Sequence, residues 1–328
     1  MIFSPAHPSP LTPHPSKKLF IVAPRGWCAG VERAIEILDV ALTNFPPPIY
    51  VRKEIVHNKI VVEAYRKKGV VFIDELGQVP DHQTVIFSAH GISPQVHEAA
   101  EKRGLNAIDA TCPLVTKVHS EVLRFVKNGY KIFYIGHKNH EEAVGVLGEA
   151  PEHIRIVETE EEAQKIPVAS GKIVVLTQTT LSVDDTQKII DVLKTRMPQL
   201  QTAAKEDICY ATSNRQAAVK LLAAAYQPEL IYVIGSANSS NSNRLCEVAE
   251  SLGIKARLID GAADIRQEDW VGKTSLGLTA GASAPESLVQ DVALYFKDKG
   301  YNVEETIFER EDVNFALPKN LVELAVNV

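Results

Sequence analysis

The chain has 328 residues, 45% of them hydrophobic and 23% charged, enough to build two or three cores of ordinary size. A net charge of −6 argues against broad nucleic-acid or anionic-membrane surfaces, so an anionic ligand has to be held locally by a few donors. No apolar run approaches the roughly twenty residues of a membrane helix. The four cysteines are too dispersed for a secreted disulfide framework and no signal-peptide pattern is evident, so the expected compartment is the cytoplasm.

Residues 1–17 carry prolines at 5, 8, 10, 13 and 15 among Ser, His and Thr, a composition that cannot pack and predicts a disordered tail. A strand at 18–22 then runs into Pro24-Arg-Gly-Trp-Cys28, and helical spacing over 31–42 stops before Pro46-Pro-Pro48. A strand at 49–52, a helix at 61–68, strands at 70–73 and 84–88 and a helix at 97–103 complete a first unit. The second predicts a helix at 115–127, a strand at 131–135, a helix at 143–147, strands at 154–157 and 173–177 and a helix at 183–196. The third predicts a helix at 214–225, a strand at 230–234, a helix at 243–252, strands at 256–259 and 275–279 and a helix at 285–299. Strands alternating with helical runs are the pattern of parallel α/β units. The units span 18–111, 112–208 and 209–299, with the first strand free to pack with unit 3 instead. The extension 300–328 holds a short β-like piece at 303–307 and a Leu/Val-rich end suited to covering a domain edge.

One cysteine marks each unit. Cys28, Cys112 and Cys209 lie 84 and 97 residues apart, and each opens an amphipathic helical run. Helix N-termini offer free N–H groups and a positive dipole end, which favour a thiolate. About thirty residues after each cysteine comes a polar loop behind a β-rich run: Val56-His57-Asn58, then Gly136-His137-Lys-Asn-His140-Glu-Glu142, then Gly235-Ser-Ala-Asn-Ser239-Ser-Asn241. A second polar loop closes each unit: Ser88-Ala-His90-Gly91, Thr177-Gln-Thr179-Thr180 and Thr279-Ala-Gly-Ala-Ser283. The same order three times is a threefold internal repeat. Ligands of open parallel sheets gather beyond the carboxyl ends of the strands. If the three units face one another, all these groups therefore converge on one central site.

Three converging thiolates suit a metal, either zinc with a fourth ligand or water, or an iron–sulfur cluster with one iron left open; the spacing alone does not choose. The alternative for any one cysteine is a small buried hydrophobe, which is the reading of Cys246. Ser239, Ser240, Asn241, Ser283, His57 and His90 form a set of neutral donors ahead of helices, a pattern that serves anions and phosphate, although Ser and Asn also cap helices for purely structural reasons. Unit 2 differs, because His140, Glu142 and Thr179 offer a titratable pair and hydroxyls able to pass a proton.

Gly26-Trp-Cys-Ala-Gly-Val31, Val56-His-Asn58, Ser88-Ala-His-Gly91, Asp109-Ala-Thr-Cys-Pro-Leu-Val-Thr-Lys-Val-His119, Thr177-Gln-Thr-Thr-Leu-Ser-Val-Asp-Asp185 and Asn238-Ser-Ser-Asn-Ser-Asn-Arg-Leu245 strongly resemble the 4-hydroxy-3-methylbut-2-enyl diphosphate reductase family over about residues 18–318. The resemblance implies three α/β units in pseudo-threefold arrangement around one [4Fe–4S] cluster, held by Cys28, Cys112 and Cys209 with the fourth iron open to substrate. It implies a two-electron, two-proton reductive dehydroxylation of an allylic diphosphate to isopentenyl and dimethylallyl diphosphate, the last step of the methylerythritol phosphate route. Glu142 would give the proton, oriented by Thr179 with His140 nearby. The diphosphate would lie among His57, His90, Ser239, Ser240, Asn241 and Ser283, and electrons would come from reduced ferredoxin or flavodoxin. The family commonly has Phe before the first cysteine where this chain has Trp27, a conservative departure. The rivals are a quinolinate-synthase-like enzyme, a hydro-lyase using iron only as a Lewis acid, and an iron–sulfur sensor without turnover. A sensor has no use for so many polar groups or for Glu142 beside them.

Overall fold

The computed structural model describes residues 16–203 and 207–325. Residues 1–15, on which most of the expected tail falls, lie outside the described residues. Lys17 already belongs to the fold, its carbonyl accepting the Asn302 N–H at 2.8 Å.

Thirteen strands are described: β1 (Lys18–Ala23), β2 (Ile49–Arg52), β3 (Val70–Ile73), β4 (Thr84–Phe87), β5 (Asn106–Asp109), β6 (Lys131–Ile135), β7 (Ile154–Val157), β8 (Ile173–Thr177), β9 (Gln201–Thr202), β10 (Leu230–Ile234), β11 (Ala256–Ile259), β12 (Ser275–Ala280) and β13 (Asn302–Ile307). Twelve helices accompany them: α1 (Ala29–Asn44), α2 (Lys59–Lys67), α3 (Pro94–Lys102), α4 (Pro113–Lys127), α5 (Glu141–Glu149), α6 (Glu160–Lys165), α7 (Val183–Arg196), α8 (Tyr210–Tyr226), α9 (Ser240–Ser251), α10 (Gln267–Trp270), α11 (Glu286–Asp298) and α12 (Lys319–Ala325). None is long and apolar enough to cross a membrane among the described residues.

The strands form three sheets, ordered β3-β2-β4-β5, β7-β6-β8-β9 and β11-β10-β12-β1-β13, and every pairing within them is parallel. The α/β expectation therefore holds, with three similar sheets. Strands β4, β8 and β10 are buried along their whole length, as expected of strands covered by helices on both faces.

The first strand settles on the third sheet. β1 lies between β12 and β13, with Leu19 opposite Leu276 on one side and Val303 on the other. It takes the place beside β12 that β5 takes beside β4 and β9 beside β8, so each of these strands is the last of its sheet before a cysteine in the chain. The helix that follows crosses to the next sheet. α1 packs Ile37, Leu38 and Ala41 against Ile49 and Val51 of β2, α4 packs Val118 and Val122 against Ile132 and Tyr134 of β6, and α8 packs Val219 and Leu222 against Ile231 and Val233 of β10. A repeat read linearly from the cysteines is thus offset by one strand from the folded units. The β-like piece at 303–307 is the edge strand β13, and the Leu/Val-rich end forms α12, whose Leu321 is buried with Leu38 and Ala41 of α1.

Leu19 is fully buried in β1, between its two partner strands. Leu19→Ala is expected to cost about 2–5 kcal/mol, read as a lower urea midpoint of the cofactor-free chain.

Candidate active site

Cys28, Cys112 and Cys209 are the N-caps of α1, α4 and α8, and Pro113 takes the first helical position after the second of them. Each is pinned by its own peptide group. Cys28 N–H donates to Ala282 at 3.3 Å, Cys112 N–H to Ala89 at 3.0 Å and Cys209 N–H to Thr179 at 3.0 Å. These acceptors sit in the three second polar loops, at equivalent points after β12, β4 and β8. All three cysteines are free thiols facing one cavity of about 110 Å³, several times the ~30 Å³ share of a water molecule.

Burial pushes the Cys112 thiol up to about 12 and Cys209 to about 11, and in both cases charge on the neighbouring cysteines pushes further upward. Cys209 Sγ also accepts the Thr212 N–H at 3.4 Å. Thiols held this high become thiolates only when a cation joins them. A Cβ at Gly30 would stand 2.7 Å from Cys112 Sγ and 3.8 Å from Cys28 Sγ, so the glycine keeps open the space beside two of the sulfurs. Among the described residues no three His, Cys, Asp or Glu side chains are arranged to hold a single metal ion. The three soft donors surround a cavity, and that donor set fits an iron–sulfur cluster with one sulfur for each of three irons.

The polar loops bring two more helix N-termini, those of α5 and α9, to the same cavity, and His57 of its wall directly precedes the α2 cap. Asn58 caps α2 through Val61 N–H at 3.0 Å, His140 caps α5 through Glu142 N–H at 3.2 Å, and Ser239 caps α9 through Ser242 N–H at 3.3 Å. His57 and His90 stack with ring centroids 4.0 Å apart, and His140 meets both edge-on at 5.8 and 6.0 Å. Burial holds His140 down to about 4, and His90 lies well below the usual histidine range; in both, the neighbouring imidazoles add to the effect. Ser283 Oγ donates to the His57 carbonyl at 2.8 Å, Ser240 Oγ to the Thr180 carbonyl at 3.2 Å, and Asn241 Oδ1 accepts Ala282 N–H at 2.9 Å. The first two fix the loops of unit 3 against those of units 1 and 2, and the third ties the two loops of unit 3 together. Trp27 joins in by donating to the Ser283 carbonyl at 3.2 Å.

Glu142 lies beneath this group, 2% exposed. Thr179 meets it twice, with N–H to Oε1 at 2.7 Å and hydroxyl to Oε2 at 2.9 Å, and Tyr134 OH reaches Oε1 at 3.4 Å. Burial raises this carboxyl to about 7 against the opposing pull of both Thr179 bonds, so up to that pH it carries a proton in a site closed to bulk water. Its neighbour Glu141 turns away, toward Lys53.

All twelve residues singled out by sequence line this one cavity. Sequence reasoning missed Tyr134 and Thr212, which act on Glu142 and Cys209. Tyr134 sits inside a buried strand and reads as core. Thr212 is three residues past a cysteine cap, and that spacing was the available signal. Glu54 was missed too: it holds His57 Nδ1 at 3.1 Å and accepts from Asn238 at 2.7 Å.

Residues 19–297 match the protein family described as LytB protein. A relative from Streptomyces coelicolor is 48% identical over 95% of this chain and 92% of its own, and one from Azotobacter vinelandii is 51% identical over 91% and 96%. Both are named 4-hydroxy-3-methylbut-2-enyl diphosphate reductase. The solved structure of the E-1-hydroxy-2-methyl-but-2-enyl-4-diphosphate reductase from Plasmodium falciparum superposes with a TM-score of 0.92 at 39% identity, covering 95% of this chain and 99% of that one.

Glu142 has its folded value raised to about 7 from an ordinary 4.5. Its protonated form therefore stabilises the fold fully below the unfolded value, and that contribution is lost as pH rises through the folded one. Glu142→Gln does not titrate. Between pH 4.5 and 8 the variant should gain roughly 3 kcal/mol on the parent, seen in paired thermal melts of the cofactor-free proteins. A constant difference across that range would contradict the raised value.

Proposed function

The chain belongs to the LytB protein family, whose relatives are reductases by name, and from that membership and the shared cavity we propose that it reduces (E)-4-hydroxy-3-methylbut-2-enyl diphosphate to isopentenyl and dimethylallyl diphosphate. The observation that carries the reading is the convergence of three free cysteines, a buried proton-bearing carboxyl and a ring of neutral donors on one cavity.

Cys28, Cys112 and Cys209 would hold a [4Fe–4S] cluster. When bound it supplies electrons one at a time, together with an iron open to the hydroxyl that departs. The chain's own residues do the rest. Five helix N-termini and the side chains of Ser239, Ser240, Asn241 and Ser283 would give a diphosphate N–H and O–H donors without a basic field, the hydroxyls of Ser240 and Ser283 turning from the carbonyls they meet here. The stacked His57 and His90 and the edge-on His140 add ring N–H donors on the side of unit 1 and unit 2. Val31, Val56, Ala89 and Val115 line the same space and leave an apolar wall for a five-carbon chain.

Glu142 serves as the acid. Its proton is held at Oε1 or Oε2, and Thr179 fixes the carboxyl plane through two bonds. The reaction breaks the allylic C–O bond, and the hydroxyl leaves as water after taking one proton. A second proton forms the new C–H bond, and two electrons from a reduced donor such as ferredoxin or flavodoxin balance the change. Glu142 is the buried group able to deliver a proton into the cavity at neutral pH without a charge being left nearby beforehand.

Anaerobic analysis of the purified protein is expected to find iron and acid-labile sulfide in equal amounts, with both lost in Cys112→Ser; zinc without sulfide would overturn the reading. Glu142→Gln should lower turnover by about 10²–10⁴-fold while iron content and affinity for the allylic diphosphate stay within a few-fold. Undiminished turnover would remove Glu142 from the proton path.

A further inference from the structure

A second threefold pattern lies outside the cavity, on cationic side chains that the reaction does not use. Arg33 stands five residues after Cys28 and donates from Nη1 to the carbonyl of Thr111, the residue before Cys112, at 3.0 Å. Lys117 stands five after Cys112 and reaches Asp207, two residues before Cys209, with Nζ 2.9 Å from Oδ1. Arg215 stands six after Cys209 and donates from Nε and Nη2 to the carbonyl of Gly26, two residues before Cys28, at 3.2 and 2.8 Å. Each helix that begins with a cysteine thus sends a cation from its second turn to the segment that leads into the next cysteine, Arg33 and Arg215 to a backbone carbonyl and Lys117 to the Asp207 carboxylate. The three contacts close a ring.

Their surroundings differ in a way that argues against coincidence of surface charge. Arg215 is fully buried and its charge is met by Glu311 of the C-terminal segment at 3.0 Å, while it also bonds the Ala211 carbonyl at 2.9 Å. Arg33 is held by the same segment, donating from Nε to Ala316 O at 2.9 Å. Asp207, its side chain 2% exposed, also accepts the Thr177 N–H at 3.1 Å, which fastens the approach to Cys209 onto the end of β8. Charged hydrogen bonds in buried settings are stronger than neutral ones and fix geometry, and a lone loop gains more from them than a strand does.

We propose that Arg33, Lys117 and Arg215 are positioning residues, a closed ring of clamps that sets the separation of the three thiols before any cofactor arrives. The inference rests on the reading of Cys28, Cys112 and Cys209 as cluster ligands. The three segments that lead into the cysteines, clamped in a ring, cannot move apart singly. The ring also lets each helix report on the next loop, so loss of one clamp loosens one cysteine and leaves the other two in place.

Amide hydrogen exchange on the full cofactor-free chain tests this. Arg33→Gln is expected to speed exchange at the Cys112 amide about tenfold and to leave the Cys28 and Cys209 amides unchanged; Arg33→Lys, which keeps a cation, should restore much of the protection. Lys117→Gln, which leaves Asp207 a hydrogen-bond donor, should do the same at Cys209 alone. Arg215 is left in place because it is fully buried, and its removal would leave a cavity and the Gly26 and Ala211 carbonyls without their donor. In the loaded protein, iron release to a chelator should quicken in both variants. Exchange that stays at the parent rate, or rises equally at all three cysteines, would overturn the ring. A parent protein that takes up neither iron nor sulfide would instead overturn the cluster reading, and the exchange pattern of the cofactor-free chain would still decide whether the clamps act loop by loop.

Discussion

Everything at the centre of this molecule hangs on three peptide hydrogen bonds, from Cys28 to Ala282, Cys112 to Ala89 and Cys209 to Thr179. A helix N-cap has extended backbone and a free N–H, so it can bind sideways to a neighbouring turn while its helix departs in a new direction. Here the turn belongs to the sheet the chain is leaving and the helix packs on the sheet it is entering. The cysteine is therefore the hinge point between two cores. Three such hinges, one between each pair of sheets, leave the side chains no place to point but the common centre.

The electrostatics of that centre follow from the same geometry. The chain is acidic overall, with a net charge of −6, and its central cavity holds no ring of lysines and arginines. Five helix N-termini supply positive potential instead, without a mobile charge to desolvate. His90 and His140 are kept neutral by burial, and Glu142 keeps its proton for the same reason. The groups that meet the ligand are thus mostly uncharged donors, and charge enters with what binds. The cations Arg33, Lys117 and Arg215 stand one layer out, fastened to the segments that lead into the cysteines, two through backbone carbonyls and Lys117 through the Asp207 carboxylate.

Much of this was legible in the residues. Strands such as 131–135, 154–157, 173–177 and 230–234 agree with the structure to the residue, because short β-branched and apolar-rich runs bounded by polar loops have few other uses in an α/β chain. Helix starts were read two to four residues late, at Ala29, Pro94, Tyr210 and Ser240 among others, since the apolar period that marks a helix becomes visible only beyond its first turn. The edge strands β5 and β9 and the short helix α6 went unread. Asn106–Asp109 is exposed along half its length and Gln201–Thr202 has only two residues, so neither shows a burial pattern. The polar site residues were legible because they recur three times at near-constant offsets from a cysteine, a regularity that capping alone does not require.

By itself, then, the sequence determined the local states and the identity of the polar groups, since periodicity, caps and the threefold repeat are properties of neighbouring residues. Only the tertiary structure decided which sheet each piece joined. β1 leaves the unit it precedes and completes the third sheet, and Leu321 near the C-terminus returns to cover α1. It alone also decided that Tyr134 supports Glu142 and that each cation follows one cysteine and holds the next. Such pairings join residues up to 189 positions apart. No local pattern encodes them, because they arise from how three separately formed sheets meet.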